Sequence, residues 1–180
     1  SLISRASGIN CSRSAQRPLR FVAGLWGTAG QATDERAERL LALFDLTEWQ
    51  DELVESYSHG MRQKLLISSA LIHRPELIVV DEPMVGLDPR SARILKDLLR
   101  TYVGNGGTVF LSSHTLEVVE VLCDAIAIIH EGNIIAKGGM DDLRSQVDAG
   151  EAHLEEIFLK VTGGEEMADL VATLQDAGAP

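Results

Sequence analysis

Four apolar residues in an unbroken run, Leu77-Ile78-Val79-Val80, lead directly into Asp81-Glu82-Pro83. This stretch constrains the fold more than any other. An apolar run of strand length with no polar alternation is the pattern of a parallel strand covered on both faces. In an open α/β sheet, ligands collect beyond the carboxyl ends of the strands, and Asp81 and Glu82 stand at that end. A hard Mg²⁺ bound to phosphates takes one or two carboxylates plus waters, and a second carboxylate beside the first can polarise an attacking water. On its own the pair reads equally well as two solvated acids after a strand.

The surrounding pattern supports an α/β layer sandwich. Leu19, Val22 and Trp26 share helical spacing, and Gly27 to Gly30 ends that element. Thr33 or Asp34 is placed to cap a second helix, whose Ala37, Leu40, Leu41 and Phe44 form one apolar stripe. A third helix is expected over 56–73, stopped by Pro75. A helix over 91–102 carries Ile94, Leu95, Leu98, Leu99 and Tyr102 on one side. Thr108 to Leu111 reads as a second short buried strand, followed by a helix near 115–123. Glu131-Gly132-Asn133 between two apolar runs is a hairpin signal. From about Asp141 the chain reads as helices with loops, including Ala168, Leu170, Val171 and Leu174.

Two further clusters bear on chemistry. Ser112-Ser113-His114 sits at the end of the second strand, so adjacent strand ends are expected to deliver Asp81, Glu82 and His114 to one sheet edge. A lone His there would be structural; beside a carboxylate pair it points to a functional role. Upstream, Ser58 is a good N-cap and Gly60 lets a phosphate approach the backbone. Helix N-termini present unpaired N–H groups and partial positive charge to anions, although an ordinary capped helix has the same local sequence.

The order of these parts resembles that of ABC ATPases: signature, Walker B strand, D-loop and switch histidine, over roughly residues 19–145. The resemblance implies a P-loop NTPase-like three-layer sandwich with a helical subdomain and its N-terminal part missing. It divides the chain into an atypical or disordered stretch (1–18), a helical signature subdomain (19–56), a RecA-like core (57–140) and a helical tail (141–180). Tyr57-Ser58-His59-Gly60-Met61 occupies the place of the signature LSGGQ; Ser58 and Gly60 match it, and His59 and Met61 depart from it. By the same resemblance Ser58, His59, Gly60, Met61 and Asp88 contact or sense nucleotide. Asp81 supports Mg²⁺, Glu82 is the catalytic base and His114 senses the γ-phosphate of ATP. The tail 154–160 (LEEIFLK) is similar to the end of exporter-type subunits. The implied partners are a transmembrane permease and a second ATPase subunit, dimerised through the signature face. The implied location is cytoplasmic, peripheral on the inner face of the plasma membrane through the permease.

No GxxxxGK[ST] phosphate loop occurs in the 180 residues, although in the family its backbone N–H groups and Lys hold the β- and γ-phosphates. The chain is therefore expected to be incomplete as an ATPase and inactive alone, with an exposed sheet edge that favours association. The first 33 residues include Arg5, Arg13, Arg17 and Arg20 and no acid; a broken or out-of-frame end accounts for this better than a transit peptide. Two other readings remain open at this point. One is a non-catalytic partner half that completes another subunit's ATP site. The other is the C-terminal half of a chromosome-maintenance or repair ABC ATPase, against which the first 33 residues show no heptads.

Composition narrows the partners. A net charge of −11 argues against nucleic acid or ribosome contact, which needs Lys and Arg to neutralise phosphates, and against adhesion to an anionic leaflet. Cys11 and Cys123 lack metal spacing and read as reduced thiols. No segment reaches membrane-spanning length.

Overall fold

The computed structural model describes residues 15–163. Ala168 and the other tail positions singled out above, with most of the 1–18 stretch, lie outside that range. The chain divides into two compact units at Ser112/Ser113, and each is described by itself.

The first unit opens with three mutually packed helices, α1 (Gln16–Leu25), α2 (Gln31–Leu43) and α3 (His59–Leu71). Leu19 and Ala23 of α1, Ala37, Leu40 and Leu41 of α2, and Leu65 of α3 are buried, with Phe44, Leu46 and Ile72 beside them. Their i, i+3, i+4 spacing is what makes each helix amphipathic. On α1 the buried pair is Leu19 and Ala23, and Trp26 lies outside the stripe, stacked on His73 at 4.6 Å between ring centroids.

The capping expectation for α2 is corrected. The helix starts three or four residues earlier than those caps imply, at Gln31, with Gly30 as N-cap and no side-chain cap. Gly30 takes φ 157°, ψ 176°, a backbone region essentially reserved for glycine, and its carbonyl accepts from the Thr33 and Asp34 amides. The two candidate caps are engaged elsewhere. The Thr33 hydroxyl donates to the Thr28 carbonyl, and the Asp34 carboxylate pairs with Arg20 at 2.8 Å.

Next come β1 (Leu77–Asp81), α4 (Pro89–Gly104) and β2 (Thr108–Ser112). The strands pair in parallel, with Val79 opposite Phe110 and Asp81 opposite Ser112. The crossover helix α4 packs on β2, as a parallel pair requires. Ile67 and Leu71 of α3, Ile78 and Val80 of β1, and Leu95 and Leu99 of α4 line one small apolar pocket. Burial on both faces of β1 is not what the described residues show: Ile78 is 3% exposed, but Leu77 and Val79 are 52% and 47% exposed, and Phe110 of β2 is 65% exposed. The apolar run supplies a face for a second layer, and among the described residues only one face is covered.

The second unit contains α5 (Leu116–Leu122), an antiparallel hairpin of β3 (Ile126–His130) and β4 (Asn133–Gly138), α6 (Met140–Gln146) and α7 (Leu154–Thr162). The hairpin turns on Glu131 (φ 49°) and Gly132 (φ 79°), the left-handed pair that matches strand twist in a two-residue loop. Glu120 of α5 ties down α7. Its carboxylate accepts from the Leu154 amide and meets the His153 ring, each at 3.1 Å. Leu143, Leu154 and Ile157 close the small core beneath. No described helix is long and apolar enough to cross a membrane.

One pH effect arises from the three-helix cluster. His73 Nδ1 is buried without a hydrogen-bond partner, and burial lowers the pKa of the ring. The unfolded chain therefore takes up the proton first on acidification. The stability present at pH 8 is expected to be retained down to the ordinary imidazole value of 6.5, to decline as pH falls below it and to level off below the lowered value. Denaturant midpoints across pH 5–8 should show this slope in the wild type, and a smaller one in His73→Gln.

Candidate functional site

The α3 N-terminus is built by the segment before it. Residues 47–49 and 54–56 form single tight turns, and Tyr57, 2% exposed, plugs the cluster. Its hydroxyl donates to the Trp49 carbonyl at 2.6 Å, and its ring meets Trp49 edge-on, 6.5 Å between centroids. With Tyr57 fixed, Ser58 emerges extended (φ −61°, ψ 166°), and its hydroxyl accepts from the Met61 amide at 3.3 Å. This is an N-cap. Ser58 and His59 are exposed and Gly60 and Met61 half-exposed, and with the Met61 amide taken up by the cap and the Arg62 amide by the Ser58 carbonyl, the His59 and Gly60 amides are the first-turn donors that the cap does not use.

At the end of β1, the Asp81 carboxylate accepts from the Ser112 hydroxyl of β2, and the Glu82 amide donates to the Ser112 carbonyl at 2.9 Å. Glu82 sits at φ 46°, an uncommon left-handed position for a residue with a side chain. It turns the chain into a tight bend closed by the Val85 amide on the Glu82 carbonyl and the Leu87 amide on the Met84 carbonyl, both at 3.2 Å. The bend ends at Asp88, the N-cap of α4. Its carboxylate accepts from the Ser91 amide at 2.9 Å and the Ser91 hydroxyl at 2.6 Å, and pairs with Lys64 at 3.1 Å. The Ser91 bonds first, and Lys64 after them, hold the Asp88 carboxyl well below the usual carboxylate range.

Of the sequence-predicted residues, Ser58, His59, Gly60 and Met61 therefore lie on the first turn of α3, which packs against the 82–88 bend. Asp81 and Glu82 stand at the strand end that starts that bend. His114 is exposed and belongs to the second unit, two residues beyond β2, where the Ser113 hydroxyl accepts from the Thr115 amide at 3.1 Å. Sequence reading gave no role to Gln63, Lys64 or Ser91. The signal available for the first two was their i+3 and i+4 spacing from Gly60. Among the described residues no group of three or more His, Cys, Asp or Glu is placed to hold a metal ion. A lone exposed carboxylate oriented by a hydroxyl suits instead a Mg²⁺ that brings phosphate oxygens and waters as its other ligands.

The ABC transporter family profile matches residues 5–85, from the chain start through α3 and β1 into the bend. The linearmycin resistance ATP-binding protein LnrL of Bacillus subtilis is 37% identical over 134 residues, covering 74% of this chain and 43% of LnrL. This chain belongs to the family of ABC transporter ATP-binding proteins. The ABC ATP-binding protein NatA of the same organism is 34% identical over 137 residues, 76% of this chain and 56% of its own length. The daunorubicin/doxorubicin resistance ATP-binding protein DrrA of Streptomyces peucetius is 37% identical over 136 residues, 76% of this chain and 41% of DrrA. A solved ATP-binding subunit of an ABC transporter superposes with a TM-score of 0.82 at 31% identity, covering 85% of this chain and 64% of that one. The fold is thus the α/β, P-loop NTPase fold of ABC ATPase cassettes. The ABC domain described here spans about half the length of the curated relatives it matches.

Proposed function

We propose that this chain is the signature- and Walker B-bearing part of a subunit that binds and hydrolyses ATP to power transmembrane export by an ABC transporter. The observation that carries the reading is the pairing of a serine-capped, outward-facing α3 N-terminus with the bend that leaves the Asp81-Glu82 strand end. Ser58 and the first-turn amides of His59 and Gly60, with Met61 beside them, bind phosphate oxygens of an ATP held by a phosphate loop. Asp81 would hold a Mg²⁺ that arrives with the nucleotide, and that ion would supply neutralisation of phosphate charge. Glu82 takes the proton of the attacking water, His114 senses the γ-phosphate, and Asp88 relays between paired subunits. The partners are a second ATP-binding subunit across the signature face and a membrane permease that holds the pair at the cytoplasmic side of the plasma membrane. Relatives named for linearmycin and daunorubicin resistance support a drug-like cargo.

The 180 residues contain no GxxxxGK[ST]. The expected result for this polypeptide alone is no ATPase activity above background, measured as phosphate release with Mg-ATP. Turnover by the unaided chain that Glu82→Gln abolishes would contradict the expected inactivity, while leaving Glu82 as the base. The same observation favours a second role, in which this chain lends its signature to complete the ATP site of a full-length subunit.

A further inference from the structure

We propose that Lys64 is a positioning residue that braces the 82–88 bend against α3, so that Glu82 is held in a fixed relation to the α3 N-terminus. One stripe of the helix reads onto the bend. A Cβ at Gly60 would lie 2.6 Å from the Gly86 carbonyl oxygen, so the two backbones touch where only glycine fits. The His59 ring occupies the space in which a Gly86 side chain would stand, its Cδ2 2.3 Å from that Cβ position. One turn on, the Gln63 side chain donates through Nε2 to the Pro83 carbonyl at 3.3 Å. Lys64 closes the stripe on Asp88 at 3.1 Å. Positions 60, 63 and 64 are the i, i+3, i+4 neighbours of one helix face, and they meet the bend near both of its ends and at Gly86.

The ion pair is the tie that reaches α4. The Lys64 side chain is only 13% exposed and that of Asp88 52%, so the packed lysine stem delivers its ammonium to a carboxylate at the surface. Asp88 is fixed on its other side by Ser91, so the pair ties α3 to the start of α4. The bend needs such ties. It contains two left-handed positions, Glu82 and Gly86, and a strained non-glycine conformation persists only where its surroundings over-determine it. That Glu82 is the catalytic group so placed rests on the proposed function; the brace itself does not.

Amide hydrogen exchange on the 180-residue chain tests the brace without ligand. In Lys64→Met, the Val85 and Leu87 amides are expected to exchange about ten-fold faster, while Leu95 and Leu99 in the α4 core keep their wild-type rates. Lys64→Arg should restore the bend to near wild type, since it keeps the charge. Unchanged Val85 and Leu87 exchange in Lys64→Met would overturn the proposal. So would equal acceleration of bend and core, or failure of Arg to rescue, since either means that Lys64 serves only general packing. If Lys64→Met does not fold, Asp88→Asn is the second variant, with the same local pattern expected and the same overturning results. Loss of the reading of Glu82 as base, by an ATPase indifferent to Glu82→Gln, would leave these exchange results standing.

Discussion

With a relative's phosphate-loop segment fused ahead of these 180 residues, Mg-dependent ATP hydrolysis is expected, and Glu82→Gln is expected to lower its turnover about 10²–10⁴-fold. The size follows from what is removed. A carboxylate that accepts a proton from the attacking water becomes an amide that cannot, with almost no change in volume. Glu82 is well placed for the comparison, because its backbone is held by the Ser112 carbonyl and by the bend it begins, so the variant keeps its fold. ATP binding should change little, and KM should stay near that of the unsubstituted fusion while kcat falls. An equal loss in both, or no loss in kcat, would remove Glu82 from the chemistry.

The second large effect is on stability. Tyr57→Ala is expected to cost about 3–5 kcal/mol, the range for truncating a large buried ring, read from urea midpoints at constant m. Tyr57 is 2% exposed, and its hydroxyl is satisfied by the Trp49 carbonyl. Tyr57→Phe isolates the hydroxyl, for which about 1 kcal/mol is expected. Because Tyr57 directly precedes the Ser58 cap, the alanine variant should also loosen the first turn of α3, visible as faster exchange of the Met61 amide. A cost near zero for Tyr57→Ala would mean that the segment before α3 does not hold that turn in place.

Local chemistry made part of this molecule legible from its residues. Ser58 as a cap, Glu131-Gly132 as a turn, and Asp81-Glu82 at a strand end each depend on a few neighbours along the chain, and each takes the expected place. The start of α2 was misread because Thr33 and Asp34 both have the right side chains for capping. Their hydroxyl and carboxylate are drawn off by Thr28 and Arg20, and no local rule encodes that competition. The Leu77–Val80 run announced a parallel strand correctly, but not the cover expected on both its faces. It could not say how many of its faces are covered, because that depends on what packs there. The brace was the least legible feature. Gln63 and Pro83 are separated by 20 residues, and Lys64 and Asp88 by more, so their pairing is a product of the fold. The left-handed Glu82 was likewise hidden, since nothing in a glutamate signals positive φ.

That the α3 N-terminus completes an ATP site is tested most directly by signature complementation. A full-length ABC ATP-binding subunit whose own signature serine is replaced by arginine is mixed with this chain, and Mg-ATP hydrolysis is followed as the chain is added. Activity is expected to rise to a plateau with the wild-type chain and not to rise with Ser58→Arg. No rise with a folded wild-type chain, or an equal rise with Ser58→Arg, would contradict it.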